Sequence, residues 1–249
     1  KVILNASYGV FGAETFDLYC PPVAEATAAV GRHSITMIVN KAKELGINVI
    51  YGDTDSVFLK NPSEQQMSEL ARWSETELKM GLDVDKTYRY SVFSSRKKNY
   101  LGIFPDGSVD VKGLTGKKKH IPKIIKDAFD QMKMRLGKVK SPAEFEAAKK
   151  DIKGIVVDCY TRLKRREWKS LDELAFHVVM GEHVKAYTKT TPQHVKAAMI
   201  LEKNGRELKA GDLISFVKVT KEPHVKPVEL ASNSEIDVDK YVGYLHSTF

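Results

Sequence analysis

The sequence is poor in cysteine and has no long apolar run. Its 249 residues include two cysteines, Cys20 and Cys159, far apart in the chain. They could form a disulfide, but we expect two reduced core residues, as in a cytoplasmic protein. No apolar stretch approaches the roughly 18 residues that a membrane-spanning helix needs. The N-terminus lacks a charged-then-apolar signal pattern, and the chain has no internal repeat. We therefore predict no membrane partner.

The composition is that of a globular protein with an excess of positive charge. Hydrophobic residues make up 42% of the chain and charged residues 29%, and the net charge is +8. A basic balance favours polyanionic partners, because binding releases the counterions of the polyanion. The charge is also clustered between residues 112 and 126, at Lys112, Lys117, Lys118, Lys119, Lys123 and Lys126. This cluster favours nucleic acid as the partner.

The two ends of the sequence indicate a piece of a longer protein, or one chain of a split protein. Lys1 opens directly on a helical pattern without an initiator Met. Phe249 lies within the apolar periodicity of Tyr241, Tyr244 and Leu245.

Residues 1 to about 120 have the mixed patterns of an α+β fold. Glycine or proline marks most predicted element ends, and Pro105-Asp106-Gly107 predicts a turn. In the long second helix, Val23, Val30 and Met37 keep a helical period. The predicted elements are a helix over residues 1–9 ended by Gly9 and Gly12, a helix from Pro21 to Gly46, a β-hairpin over 47–60, a helix over 63–80 and strands over 84–113.

Helical patterns predominate after about Ile121. Ser141 and Glu144 have the spacing of a capping box, and Ser170 and Glu173 repeat it before Leu174 and Val178. The remaining predicted elements are a helix from Thr191-Pro192 to about Lys203 and a strand from Asp212 to Val219. We predict a domain boundary near residue 120.

Two carboxylates lie at the tip of the predicted hairpin. Asp53 and Asp55 sit between two apolar runs, and residues i and i+2 share a face where the backbone is extended. Hard cations such as Mg²⁺ prefer oxygen ligands, and a two-metal site can stabilise both oxygens of a phosphoryl displacement. The alternative is an ordinary solvated turn. Burying acids beside apolar strands is costly without a cation, which favours a metal site.

The first predicted helix carries three polar residues on one face. Lys1, Asn5 and Tyr8 are spaced four and three apart. A lysine, an amide and a phenol suit a triphosphate, a polar contact and a sugar or base. The alternative is a solvated helix face with Tyr8 packed inward.

Three segments resemble motifs of family B DNA polymerases and occur in the order of that family. Residues 1–9, KVILNASYG, resemble the fingers motif K-x-x-x-N-x-x-Y-G. Residues 51–56, YGDTDS, resemble the palm motif, and residues 97–100, KKNY, resemble the K-x-Y motif of the primer-template junction. The segments NASYGVFGAETF and TPQHVKAA are similar to sequences of the crenarchaeal replicative members of that family. The resemblance runs along the whole chain.

The resemblance implies a domain order and a reaction. Residues 1–20 would be the end of the fingers and the return to the palm, 21–120 the palm, and 121–249 a mainly helical thumb. The chain would take part in two-metal nucleotidyl transfer onto a primer 3′-hydroxyl, with two Mg²⁺ ions, or Mn²⁺ in their place. Asp55 would bridge the metals and Asp53 would lie beside it, ligating less directly.

Other residues receive binding roles from the same resemblance. The incoming dNTP would contact Lys1, Asn5, Tyr8, Tyr51 and Thr54. Primer-template DNA would contact the K-x-Y residues and a set of mostly basic residues that follows them, namely Lys98, Tyr100, Lys112, Lys117, Lys118, Lys185, Tyr187, Lys189, Gln193 and His194. A solvated surface charge is the alternative for each residue of the thumb, and His194 could equally be a packed histidine.

The chain does not contain every part of the family's site. The other metal-binding aspartate of the family lies in a D-x-x-S-L-Y-P-S motif ahead of the fingers, and that motif has no match here. We therefore expect an N-terminal polymerase portion as a partner, in the same or a separate chain. A sliding clamp is a further implied partner, and the protein would be associated with the nucleoid.

Two alternatives belong to other functional classes. A phosphatase resembling the haloacid dehalogenases also places D-x-D after an apolar strand, but it needs alternating strands and helices. A catalytically inert DNA-binding subunit would keep the fold without the chemistry.

Overall fold

The computed structural model of the chain describes residues 2–118, 120–188 and 190–249, with side chains from Ala6 onward. Over these residues the fold is α+β, as predicted, with small antiparallel sheets and α-helices. The helices are α1 (Val2–Phe11), α2 (Pro21–Glu44), α3 (Glu64–Trp73), α4 (Lys123–Gly137), α5 (Pro142–Arg165), α6 (Gln193–Lys203) and α7 (Val238–Thr248). The strands are β1 (Asn48–Asp53), β2 (Ser56–Lys60), β3 (Tyr90–Phe93), β4 (Tyr100–Ile103), β5 (Val109–Lys112), β6 (Phe176–Val179), β7 (Leu213–Lys218) and β8 (Val225–Pro227). Within the described ranges, no helix has both the length and the apolar character to cross a membrane.

The chain divides into two compact units, one ending at Lys86 and the other running from Thr87 to Phe249. The boundary predicted near residue 120 falls within the second unit. The assignment of residues 1–20, 21–120 and 121–249 to three polymerase domains stays a prediction.

The first unit contains α1, α2, the β1–β2 hairpin and α3. Its core is small, with Ala42, Ile47 and Leu70 buried and both strands contributing a partly buried side chain. Gly46 has a φ of 73°, the left-handed conformation that commonly ends a helix, as predicted for the end of α2. Helix α1 passes the predicted end at Gly9 and continues to Phe11, because a glycine inside a helix weakens it without breaking it.

Helix α2 buries a different face from the one that its apolar period suggested. Ser34, Ile38 and Ala42 are its buried residues. Val23 and Val30 are 42% and 60% exposed.

The second unit begins with the antiparallel sheet β3-β4-β5, in which β4 is central. The predicted turn joins β4 to β5. Asp106 accepts hydrogen bonds from the Ser108 backbone N–H (2.8 Å) and hydroxyl (2.6 Å), and these bonds lower the pKa of its carboxyl group. Gly107 at this turn has a φ of 88°, which favours glycine.

Helix α4 packs against two clusters of apolar residues. Phe129, Met132 and Leu136 contribute to the cluster that covers the β3-β4-β5 sheet. Ile124 and Ala128 contribute to the larger cluster, which contains residues from β6, β7, α6 and α7. Because one rigid helix serves both clusters, the sheet and the helical region form one compact unit.

Side chains from the sheet also bind the C-terminal end of α4. The Arg89 guanidinium donates to the Gly137 carbonyl oxygen (2.8 Å), and the Tyr90 hydroxyl donates to the Leu136 carbonyl oxygen (2.6 Å). The last carbonyls of a helix have no partner within the helix, so these donors satisfy them.

One of the two predicted capping boxes forms a helix start. The Ser141 hydroxyl accepts from the Glu144 N–H (3.3 Å) at the start of α5. Ser170 makes no side-chain cap, and a short 3₁₀ helix, Leu171–Leu174, leads into strand β6. The predicted helix toward Val178 is therefore wrong, because Glu173 pairs with Arg162 and Phe176 stacks on Phe216 of the neighbouring strand (5.5 Å between ring centroids).

The part of the chain after residue 120 also contains a second antiparallel sheet of three strands, in the order β6-β7-β8. Helix α6 begins at Gln193 and ends at Lys203, and β7 lies within the predicted range, both as expected.

Both cysteines are free, as expected. Cys159 is buried, and burial raises the pKa of its thiol to about 11. Cys20 is partly buried, so only Cys159 is a core residue.

The Tyr241 hydroxyl links α7 to two other elements inside the larger cluster. Tyr241 is fully buried, accepts from the Lys218 N–H (2.9 Å) and donates to the Leu174 carbonyl oxygen (2.9 Å). We predict that Tyr241→Phe lowers the free energy of unfolding by about 2 kcal/mol, because it leaves two buried backbone groups unpaired. Urea unfolding measures the change. Tyr244→Phe is the control, with an expected change of less than about 0.5 kcal/mol; equal losses in both variants would contradict the prediction.

Candidate active site and nucleic-acid interface

The β1–β2 hairpin places the two candidate carboxylates at its tip. Asp53 ends β1 and pairs with Ser56 of β2, so Thr54 and Asp55 form a two-residue turn. The hairpin expected around the two acids is present, and because the chain reverses between them, the shared face of an extended strand does not apply here. Asp53 is partly buried and Asp55 is exposed.

Hydrogen bonds from Thr54 orient the Asp53 side chain. Asp53 Oδ1 accepts from the Thr54 N–H at 2.8 Å and from the Thr54 hydroxyl at 3.2 Å. These bonds involve one carboxylate oxygen, and this carboxylate has a fixed orientation before any ligand binds.

The hairpin is held by its apolar side chains. The ring of Tyr51 packs edge-on against Phe58, with centroids 5.6 Å apart. A β-bulge lies between Val49 and Tyr51, and Ile50 at the bulge is 51% exposed. Bulges increase local twist and redirect side chains, and they are frequent next to active sites.

The hairpin is antiparallel, and so are the other sheets of the described residues. The phosphatase alternative needs alternating strands and helices around a parallel sheet. The observed topology excludes that alternative.

The donor chemistry of the hairpin tip fits a hard divalent cation. Carboxylate oxygens are the ligands that Mg²⁺ takes in nucleotidyl-transfer sites, usually one or two from the protein together with water and phosphate. Among residues 2–118, 120–188 and 190–249, no group of three or more His, Cys, Asp or Glu side chains could hold a metal ion.

The candidate nucleotide-binding residues of α1 are described in part. Lys1 lies outside the described residues, and only the backbone of Asn5 is described. Tyr8 lies three residues after Asn5 on the same helical face and is 50% exposed. The alternative in which Tyr8 packs inward is therefore wrong.

The K-x-Y segment lies at the start of the central strand β4, at one end of the β3-β4-β5 sheet. Tyr100 begins β4, pairs in register with Phe93 and Lys112, and packs its ring against Phe93 (6.0 Å between centroids). Lys98 has a φ of 64° in the preceding loop. The fold thus brings Lys98, Tyr100 and Lys112 to one end of the sheet.

Gly113 supports this loop, although no sequence motif marks it. A Cβ atom at Gly113 would lie 2.1 Å from Asn99 Oδ1 and 2.3 Å from the Lys98 carbonyl oxygen. Its φ of 71° also favours glycine. Any larger residue would displace the K-x-Y loop.

We predict that Gly113→Ala lowers the free energy of unfolding by about 2 kcal/mol or more, because it combines left-handed strain with a steric clash. Thermal or urea unfolding measures the loss, and amide shifts of residues 98–100 report the loop. The control is Gly154→Ala on α5, where a Cβ meets nothing within 4 Å. That variant should gain about 0.5–1 kcal/mol. An unchanged loop spectrum in Gly113→Ala would contradict the positioning role.

The lysines after β5 differ in what they contact. Lys117 lies in a short 3₁₀ helix, Thr115–Lys117, and its ammonium donates to the Val111 carbonyl oxygen (2.7 Å). Lys112 and Lys118 are exposed. Lys117 is thus partly engaged in holding its own turn.

The candidate DNA-binding residues around α6 form a second group. Lys185 is exposed in a short 3₁₀ helix, and the Tyr187 ring meets the His194 ring edge-on at 6.1 Å. Burial, together with the nearby His120, lowers the pKa of His194. His194 is therefore a half-packed residue that stays neutral at a lower pH than an exposed histidine. Lys189 lies outside the described residues.

Gln193 contacts Lys218, a functional candidate that belongs to no sequence motif. Gln193 accepts a hydrogen bond from the ammonium of Lys218 on β7, and Lys218 is only 4% exposed. Lys218 lies two residues after the buried Phe216, so both side chains are on the same face of the strand. A lysine on the core face of a strand is the sequence signal that could have identified this residue.

Comparison with known proteins adds independent findings. The family model described as DNA polymerase family B matches residues 1–245. DNA polymerase 1 of Saccharolobus solfataricus is 46% identical over 249 residues, which is 100% of this chain and 28% of that protein. DNA polymerase 1 of Sulfurisphaera ohwakuensis is 45% identical with the same coverage of both proteins.

The fold of this chain is similar to that of a solved structure. The family B DNA polymerase from the hyperthermophilic archaeon Pyrobaculum calidifontis superposes with a TM-score of 0.64 at 29% identity. The match covers 99% of this chain and 32% of that chain. Relative to the two DNA polymerase 1 proteins, this chain spans about 28% of the full length.

Proposed function

Because the chain belongs to DNA polymerase family B, we propose that it supplies the C-terminal palm and thumb of a DNA-directed DNA polymerase. The observation that carries this proposal is the antiparallel hairpin that presents Asp53 and Asp55 at its tip, within a chain that matches the family over residues 1–245. The reaction would be templated transfer of a nucleotide from a dNTP to a primer 3′-hydroxyl.

Asp55 and Asp53 would hold the divalent metal ions. Bound Mg²⁺, or Mn²⁺, would supply the positive charge that stabilises the attacking and leaving oxygens of the displacement. Asp55, exposed in the turn, is accessible to solvent and ligands. Asp53 accepts two hydrogen bonds from Thr54 through one oxygen, and these bonds orient its carboxylate.

The remaining nucleotide contacts would come from the hairpin and from α1. Thr54 is exposed at the tip, and Tyr51 is anchored by Phe58. Tyr8 and Asn5 share one face of α1, and Lys1, at the start of the sequence, would contact the triphosphate. In phosphoryl transfer such groups act by positioning and by charge, without covalent chemistry.

DNA would contact the second unit mainly through phosphates. Lys98, Tyr100, Lys112, Lys117 and Lys118 would hold the primer-template junction. Lys185, Tyr187, Lys189, Gln193 and His194 would approach the duplex near the start of α6, where backbone N–H groups and the helix dipole favour phosphate. Binding should therefore weaken steeply with salt and depend little on base sequence.

An N-terminal polymerase portion would complete the metal site. The family's D-x-x-S-L-Y-P-S motif is absent from residues 1–249, and the chain spans about 28% of two curated relatives. That portion, in the same or a separate chain, would provide the second metal-binding aspartate. A sliding clamp and association with the nucleoid belong to the same proposal.

The first test is extension of a primed template in the presence of Mg²⁺. The chain is assayed alone and with a fragment that carries the D-x-x-S-L-Y-P-S segment. We expect activity only in the mixture, because two carboxylates from one hairpin complete only part of the site. Extension by the chain alone would contradict the shared site. Salt-sensitive DNA binding without extension in either assay would indicate an inert DNA-binding subunit.

We predict that Asp55→Ala in the completed enzyme lowers the extension rate by about 10²-fold or more, because it removes an electrostatic ligand used in the transition state. Duplex affinity, measured in parallel by fluorescence anisotropy, should be unchanged. Glu77→Gln, which neutralises an exposed carboxylate after α3, is the control and should keep full activity. Equal loss of extension and affinity in Asp55→Ala would identify Asp55 as a structural residue.

A further inference from the structure

Lys218 carries a buried ammonium group without an ion pair in the part of the chain that the structure describes. Its side chain is 4% exposed at the end of β7, and no ion pair involves it among the described residues. Removing a charge from water without a counter-charge is costly. The arrangement therefore leaves positive charge inside the fold.

Neutral groups hold this ammonium in place. The Gln193 side-chain oxygen accepts its hydrogen bond. The Phe176 and Phe216 rings lie 5.2 Å and 5.4 Å from Nζ, where their electron-rich faces attract a cation. These contacts orient the ammonium without neutralising it.

The ammonium faces a pocket of about 340 Å³ lined by Gln193, Lys218, His224, Asp237, Lys240 and Tyr244. We call it the Lys218 pocket. Burial, followed by repulsion from Lys240 and Lys196, lowers the pKa of Lys218 to about 8. The amine is still mostly protonated at pH 7, and the neighbouring charges add to its own.

The lining also contains one carboxylate. Asp237 accepts a hydrogen bond from the Lys240 N–H (3.2 Å) and caps α7. His224 lies 2.9 Å from Glu222, which offsets any charge on that ring. The ammonium groups of Lys218 and Lys240 outnumber this carboxylate, so the lining keeps a positive excess, and Lys196 adds to it from α6.

The start of α6 strengthens the positive potential. Gln193 is the first residue of this 11-residue helix, and its N-cap Pro192 makes no side-chain cap. The first N–H groups of a helix have no partner within the helix and favour anions. They add partial positive charge on the side of the pocket where Gln193 holds Lys218.

We propose that the Lys218 pocket binds a phosphate group. A phosphate oxyanion matches a concave site with two ammonium groups, an amide and a helix N-terminus, and 340 Å³ is enough for the group together with water. The phosphate would come from the backbone of bound duplex DNA or from free phosphate. The first source rests on the proposed function, and the second does not.

The test for duplex DNA uses the salt dependence of binding by the 249-residue chain. The slope of log K against log salt is negative, and each lost phosphate contact makes it less negative by about 0.9 for B-DNA. We expect this change for Lys218→Met, which keeps the apolar stem, and for Lys240→Met, at an exposed position where folding is not at risk. Lys153→Met removes an exposed charge on α5 and should keep the wild-type slope.

The test for free phosphate measures thermal unfolding with inorganic phosphate against chloride at equal ionic strength. A saturable rise in Tm for wild type and Lys153→Met, smaller in Lys218→Met and Lys240→Met, supports the pocket with free phosphate as ligand. A slope change without a phosphate effect supports it with backbone phosphate as ligand.

The outcomes separate the pocket from the proposed function. If the wild-type chain binds no duplex, the proposed DNA contact fails and the phosphate titration alone decides the pocket. If Lys218→Met fails to fold, Lys240→Met decides. Wild-type slopes in both variants, together with no difference in the phosphate effect, would overturn the proposal.

Discussion

Burial of α4 on two sides is the constraint on which the second unit depends. Its N-terminal half packs Ile124 and Ala128 into the larger cluster, and its C-terminal half packs Phe129 and Leu136 under the β3-β4-β5 sheet. A helix amphipathic on one side can serve one core. Because α4 packs against two clusters, the K-x-Y end of the sheet and the α6 region are parts of one compact unit, and both carry candidate DNA contacts.

The candidate active site depends on a different feature, a two-residue turn between the antiparallel strands β1 and β2. A two-residue turn leaves little freedom at the tip, because register fixes the residues on both sides. Asp53 is further restrained by Thr54, whereas Asp55 stays exposed. The hairpin thus combines one oriented carboxylate with one accessible carboxylate, and both are carried by a rigid support.

The lysines of the second unit occupy two kinds of environment. Most lysines are exposed or paired, as Lys226 is with Glu235 at 2.7 Å. Exposed lysines contribute to long-range attraction and little to stability. Lys218 is the opposite case, since its ammonium is buried against aromatic rings and an amide. Because this charge has no ion-pair partner among the described residues, it keeps positive potential in the pocket that we propose for a phosphate.

The sequence by itself determined the local elements and the family motifs. The stop of α2 at Gly46, the Ser141 cap and the hairpin around Asp53 and Asp55 depend on neighbours within a few residues, so local patterns predict them. The tertiary structure decided which side chains meet across the chain. The second capping box became a 3₁₀ turn before β6 because pairing with β7 outweighs a local helix preference. Lys218 and Gly113 acquired their roles from contacts with Gln193 and Asn99, which no local period encodes.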